Sequence, residues 1–338
     1  MEAGSIFTPA AIHNAALLLF NRSGARLDRD SCRLSASSRK DYMWVKGFAI
    51  ALLLVAFEVR AQQSDTSTAW NNNSLIALQK QDGDPTRRGD VRIEFYGHDA
   101  FKITSPAGLT VLTDPWRNDA TGVYPKWFLT DFPAIRVDIV VSTHAHFDHD
   151  AVERPNSLMV LERLVGHFRL GDLEIVGLAD KHKCEATSAA NSTDARADTC
   201  PPNNAIGLDN AIQIIETGGL RIAIWGDNRA LPDSALDQYL RHLDVLILPI
   251  ETVLTRDEVD VILRKYAPKA IIPAHYFLKG LTTDGAGLEK PDTWVHDQEK
   301  LSPADVVRLD AAELNLNPDS LKRVHPRVFY FGDHFKRK

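Results

Sequence analysis

The stretch Ser142 to Asp150 reads STHAHFDHD and gathers three histidines and two aspartates between positions 144 and 150. Imidazole and carboxylate are good ligands for zinc and neighbouring divalent metals. His144, His146 and Asp148 are spaced by two, so a strand-like or tight-loop backbone aims them one way and His149 another. That pattern suits two adjacent ions, one held by His144 and His146, the other by Asp148 and His149. Two ions about 3.5–4 Å apart can hold a water and bring its pKa toward neutrality, which makes it a nucleophile for carbonyl or phosphoryl centres. A solvated loop that happens to be His-rich is the competing reading, and the cluster by itself names no reaction. No G-x-S-x-G elbow or glycine-rich phosphate loop accompanies it, so no protein nucleophile and no nucleotide cradle is expected.

The elements around the cluster are legible. It follows the apolar run Asp138-Ile-Val-Val141, a buried-type strand. Upstream, VRIEFYG, AFKIT and LTVLTD alternate as short strands between Gly-His-Asp and Ser-Pro-Ala-Gly turns. The stretch 151–168 predicts partial helix, then LEIVGLA a strand. Ile212–Glu216 and Leu220–Trp225 form a hairpin across Thr217-Gly-Gly219. Helical patterns follow at Asp233–His242 and Thr255–Tyr266, the second with Thr255 as N-cap and Glu258 as its capping-box partner. Strands at Val245–Leu248 and Ala270–Pro273 alternate with them, and VFYFGDHF near the end reads as a last strand. Strands first, then strand–helix alternation, point to layered sheets and helices of the α/β or α+β class.

Several motifs recur in a fixed order around H-x-H-x-D-H at 144–149: Tyr96-Gly-His-Asp-Ala100, Leu112-Thr-Asp-Pro-Trp116, Asn210–Leu220 followed by Trp225-Gly-Asp-Asn228, and Pro268–Tyr276 (PKAIIPAHY). Over about residues 91–278 this set resembles the metallo-β-lactamase superfamily. The branch is that of metal-dependent hydrolases similar to ascorbate-6-phosphate lactonase, with N-acyl-phosphatidylethanolamine phospholipase D a more distant relative. The resemblance implies an α/β fold, a four-layer αβ/βα sandwich of the metallo-β-lactamase type. It places His144, His146 and His182 on a first metal, Asp148, His149 and His275 on a second, and Asp227 between both. His182 is the one histidine in the right place after the strand at 173, although an insertion carrying two cysteines begins beside it. Asp148 and Asp227 would be the catalytic carboxylates, Asp148 orienting a metal-bridging hydroxide and Asp227 keeping the ions together. Asp114 would steer the histidine-rich loop without touching metal, and His98 would approach from the turn after the first strand. Trp116, Trp127 and Tyr276 would form an apolar wall for substrate or pack in the core. His167, His242, His296, His325 and His334 lack ligand-like neighbours.

The expectation is therefore an exported binuclear metal-dependent hydrolase acting on an ester, lactone or phosphodiester bond of a small molecule. Its ions would be two Zn2+, with Mn2+ or Fe2+ as alternatives. The alternative is a non-catalytic metal- or ligand-binding protein of the same fold, and the filled ligand positions favour the enzyme. β-Lactamase activity itself is not expected, because the opening and closing motifs resemble the lactonase-like branch.

The totals agree. The chain has 338 residues, 44% apolar, with a formal net charge of −6, enough for a full core and without the basic footprint that nucleic acid requires. Gly47–Phe57 is an apolar run preceded by Lys46 and followed by Val59-Arg-Ala61. It reads as a signal peptide over 43–61 starting at Met43, with 1–42 an upstream extension and cleavage after Ala61. The run is shorter than the ~20 residues of a membrane span, so no stable membrane insertion is expected after cleavage. A polar linker at 62–89 and a metallo-hydrolase domain at 90–338 come next, with an insertion loop at 183–204. The location would be periplasmic or secreted. Cys184 and Cys200 would then form a disulfide, closing a loop of about 15 residues for roughly 3 kcal/mol. Two free thiols, or a metal role for Cys184, are the other readings. The sequence leaves the oligomeric state open.

Overall fold

The computed structural model of the chain describes residues 83–183, 209–323 and 325–337. The signal peptide, the upstream extension and the Cys184–Cys200 pair expected from the sequence lie outside the described residues, as does the insertion loop beyond Lys183. The last residues of the polar stretch, 83–89, are tied to the Thr217-Gly-Gly219 turn. Gly219 N donates to Pro85 O at 2.9 Å and Gly89 N to Gly218 O at 3.2 Å.

Alternation of apolar and polar residues builds the first sheet. Its strands are β1 (Val91–Gly97), β2 (Ala100–Thr104), β3 (Thr110–Thr113), β4 (Arg136–Ser142), β5 (Asn156–Glu162) and β13 (Glu313–Leu316), in the order β13-β1-β2-β3-β4-β5. In β1, Val91, Ile93 and Phe95 are fully buried. The second sheet contains β6 (Gly166–Leu170), β7 (Leu173–Asp180), β8 (Asn210–Thr217), β9 (Leu220–Ile224), β10 (Val245–Pro249), β11 (Ala270–Ala274), β12 (Val306–Arg308) and β14 (Arg327–Tyr330). Its order is β12-β14-β11-β10-β9-β8-β7-β6. Strands β9, β10 and β11 run parallel and are apolar almost throughout, the pattern of strands covered on both faces.

The sheets share one core. Phe95 stacks on Phe101 at 4.8 Å and meets Phe331 at 5.1 Å and Tyr276 at 5.9 Å. Helix α1 (Arg256–Tyr266) follows β10. Thr255 caps it, the Thr255–Glu258 capping box closes, and Val259, Ile262 and Tyr266 are buried. Helix α2 (Asp292–Leu301) buries Trp294 and Val295. Two mixed sheets with a sparse helical covering make the αβ/βα sandwich that the motifs imply. Among the described residues no helix is long and apolar enough to cross a membrane.

Two helical expectations give way. The stretch 151–168 contains β5 and the start of β6. Its apolar residues fit a period of 2 as well as 3.6, and pairing with β4, Val140 opposite Val160 and Val141 opposite Leu161, decides the matter. Asp233–His242 keeps only a 3-10 turn, Ser234–Leu236, capped by Asp233.

The strand directions have one consequence for chemistry. Strands β1, β3, β4, β7, β9 and β11 all end at the same edge of the sandwich. Two backbone bonds join the sheets there: His275 N donates to His98 O and Ala211 N to Thr143 O, each at 2.8 Å.

Candidate metal centre

Every chemistry-bearing residue singled out from the motifs sits just beyond a strand end at that edge. His98 follows β1, Asp114 follows β3, and the histidine-rich turn follows β4. His182 follows β7, Asp227 follows β9 and His275 follows β11. His98, Asp114 and His275 have φ of 60°, 40° and 57°, a left-handed backbone that costs non-glycine residues energy and recurs at functional sites. Gly226, with φ +56°, turns the chain into Asp227.

The turn is strand-like only as far as Ser142. His149 N and Asp150 N both donate to His146 O, at 3.0 and 2.9 Å. This reversal sends His144 and His146 to one side and Asp148 and His149 to the other, so Asp148 does not share the direction of the two histidines before it.

Two groups result. His144, His146, His182 and Asp227 bring their ligand atoms within 4.8 Å of one another, and so do His98, Asp148, His149 and His275. Asp227 joins the two groups. Its Oδ2 lies 3.3 Å from His182 Nε2 and 3.7 Å from His144 Nε2. Its Oδ1 lies 3.5 Å from His149 Nε2 and 3.6 Å from His275 Nε2. Asp148 Oδ2 is 3.4 Å from the Nε2 atoms of both His149 and His275. His149 Nε2, His182 Nε2, His275 Nε2 and Asp227 Oδ1 are buried without a hydrogen bond. Buried polar atoms are normally satisfied, and convergent lone pairs of this kind fit a pair of divalent cations.

Neighbouring groups hold these side chains in place. His98 Nε2 donates to Asp148 Oδ2 at 2.9 Å. Asp114 accepts from His149 Nδ1 at 2.9 Å, from Thr143 N at 2.7 Å and from the Thr143 hydroxyl at 2.6 Å. Thus Asp114 orients ligand-type groups from behind, while His98 stands within the second group and bonds its Asp148. Around His182 and Asp227, Asp180 takes two bonds from Arg229 and one from Asn228, and Asn228 in turn accepts from Asn210. The bridge His182–Asn228 sits in this network.

Charge follows geometry. Burial pushes the carboxyls of Asp148 and Asp227 up, but the imidazoles around them hold both well below the usual carboxylate range. Burial keeps His144 and His146 low, helped by neighbouring imidazoles, and takes His98 to about 3, helped by His275. In His149, His182 and His275, Asp227 and other acceptors beside them outweigh burial and raise the pKa.

The aromatics divide. Trp116 and Tyr276 are buried in the core, Trp116 stacked on Phe128 at 4.3 Å. Half-buried Trp127 lies 6.1 Å from the His98 ring and 5.1 Å from Phe147, which also meets Tyr124. In the sequence Phe147 reads as filler between candidate ligands. Thr143 and Asp99 carry no sequence signal either. Asp99, next to His98, is fully buried, and burial followed by the charge of Asp114 pushes its carboxyl up to about 7. An aspartate in a tight turn gives no signal that distinguishes it.

Comparison with known proteins adds family evidence. A family model described as a beta-lactamase superfamily domain matches residues 92–275. A UPF0173 metal-dependent hydrolase of Roseiflexus sp. (strain RS-1) is 26% identical over 212 residues, covering 55% of this chain and 83% of that protein. A UPF0173 metal-dependent hydrolase of Thermodesulfovibrio yellowstonii is 41% identical over 61 residues, covering 18% of this chain and only 22% of that protein. A solved metallo-beta-lactamase superfamily structure from Thermotoga maritima is similar at 21% identity and a TM-score of 0.48, covering 71% of this chain and 97% of that one.

Proposed function

The chain belongs to the beta-lactamase superfamily, as a metal-dependent hydrolase, and from that premise we propose that it cleaves an ester, lactone or phosphodiester bond of a small molecule with two divalent cations, zinc foremost. The observation that carries the reading is the division of Asp227, one oxygen toward His144 and His182 and the other toward His149 and His275. His144, His146, His182 and Asp227 would hold one ion, and Asp148, His149, His275 and Asp227 the other. When bound, such a pair supplies an activated water and Lewis acidity toward the substrate oxygen.

The chain's own residues do the rest. Asp148, anionic and fixed by His98, accepts a hydrogen bond from the attacking water and sets its direction. Asp227 fixes the separation of the two imidazole groups. Trp127 and Phe147 offer an apolar wall beside the second group, suited to the acyl or aromatic part of a substrate. The reading includes export through the 43–61 segment; a mature N-terminus at Gln62 in exported protein supports that part, and an intact Met43 in it refutes it.

The test is metal analysis of the purified protein together with hydrolysis of generic ester, lactone and phosphodiester substrates. The expected result is about two ions per chain, with turnover that chelator removes and added metal restores. Bound metal without turnover on any of these substrates would favour the non-catalytic binder instead.

A further inference from the structure

The two groups differ in what stands behind their imidazoles. In the first, His144 Nδ1 meets the Thr143 hydroxyl at 3.1 Å and His182 Nδ1 donates to the Lys183 carbonyl at 2.6 Å. Both partners are neutral. In the second, His149 Nδ1 donates to the Asp114 carboxylate at 2.9 Å, and Asp99 Oδ2 lies 3.8 Å from the same nitrogen.

Asp99 is the unusual member. It is fully buried, and neither of its carboxylate oxygens has a hydrogen bond. Asp114, by contrast, is satisfied three times over by Thr143 and His149. A buried carboxylate with no donor is strongly unfavourable unless opposite charge stands near. The opposite charge placed beside it is the imidazole of His149, which faces Asp148 and Asp227 through Nε2. Asp99, Asp114 and His149 also lie within 4.8 Å of one another. A third cation there would have to displace the His149–Asp114 bond that aims His149 Nε2. A backing role for Asp99 keeps that bond.

We propose that Asp99 is a positioning residue for the second cation: with Asp114 it places two carboxyl groups behind His149 Nδ1, 3.8 and 2.9 Å away, and that pair makes this group bind its cation more tightly than the first. The proposal rests on the two-cation reading above. Carboxylate partners behind ligating histidines typically change metal affinity by 10–100-fold. The second group is therefore the tighter of the two for Zn2+.

The experiment is chelator-competition titration of the full chain with Zn2+, in wild type, Asp99→Asn and Asp99→Ser. His182→Ala, which removes a first-group ligand, identifies which step belongs to which group. The expected result is two steps in wild type, the tighter one weakened at least about tenfold in both Asp99 variants and the other unchanged within about twofold. A second readout separates positioning from a structural role. In excess chelator Asp99→Asn should melt no lower than wild type, because it removes a buried acid whose oxygens have no hydrogen-bond donor. Wild-type affinities in both Asp99 variants, equal weakening of both steps, or a lower melting point in chelator would each overturn the proposal. A single step of two Zn2+ per chain in wild type would overturn the proposal too, whereas a single step of one Zn2+ per chain would overturn the two-cation reading, and Asp99 then stands only if its variants weaken that step.

Discussion

Asp227→Asn changes the residue that joins the two groups while keeping its shape. The carboxylate offers lone pairs on both sides, 3.3 and 3.7 Å from His182 and His144 on one and 3.5 and 3.6 Å from His149 and His275 on the other. A carboxamide has one oxygen and one NH2. Whichever way it turns, one imidazole group faces N–H donors where it had an acceptor, and a cation there meets a partial positive charge. The variant also removes one of the two anions, Asp148 and Asp227, that lie among these imidazoles. Losing a residue that merely supports a ligand costs 10–100-fold in affinity, so losing a shared ligand should reach at least the upper end of that range. The weaker ion should lose about 100-fold, or ~2.8 kcal/mol, and turnover should fall by at least as much. Chelator competition with metal analysis reads the affinities, and far-UV circular dichroism checks that the fold is kept. Two ions held at wild-type affinity, with unchanged turnover, would refute the reasoning.

Three further outcomes rest on the same geometry. A Cβ added at Gly226 would stand 2.6 Å from Thr143 Oγ1 and 2.7 Å from Thr143 Cβ, at a φ of +56°; Gly226→Ala should therefore lose about 1–3 kcal/mol in denaturant unfolding and shed metal as well. The raised pKa values of His149, His182 and His275 mean that their protons persist above the ordinary imidazole range and must leave before a cation enters. Metal affinity should then fall as pH drops, beginning already above about 6.5, while Asp148 and Asp227, held low, stay ionised; chelator competition across pH 5.5–8.5 should show that slope, and a flat profile would contradict the charge assignment. Trp127→Ala should raise KM for substrates with an apolar group several-fold with metal content intact, since Trp127 flanks the site without offering a ligand atom; steady-state kinetics and metal analysis together check it.

The strands and the cluster of candidate ligands were readable because each signal is local and strong. The apolar runs at 138–141, 245–248 and 270–273 have little choice but buried strands, and the ordered motifs name His144, His146, Asp148, His149, His182, Asp227 and His275, which the fold brings to one edge. The misread parts have a common physical origin in tertiary context. Residues 151–168 carry apolar side chains compatible with either period, and only pairing with β4 resolves them. The separation of Asp148 from His144 and His146 depends on a reversal at His146 O that the spacing of two conceals. Asp99 and Thr143 acquire meaning from what folds against them, Asp114 and His149, and nothing in Gly-His-Asp or Ser-Thr-His marks them out beforehand.

The central claim is that two imidazole–carboxylate groups grip one cation each on either side of Asp227. Anomalous diffraction from zinc-loaded crystals, recorded across the zinc absorption edge, tests it most directly. The account predicts two peaks per chain, one among His144, His146 and His182 and one among Asp148, His149 and His275, with Asp227 reaching both. A single peak, or two peaks of which neither contacts Asp227, would contradict it.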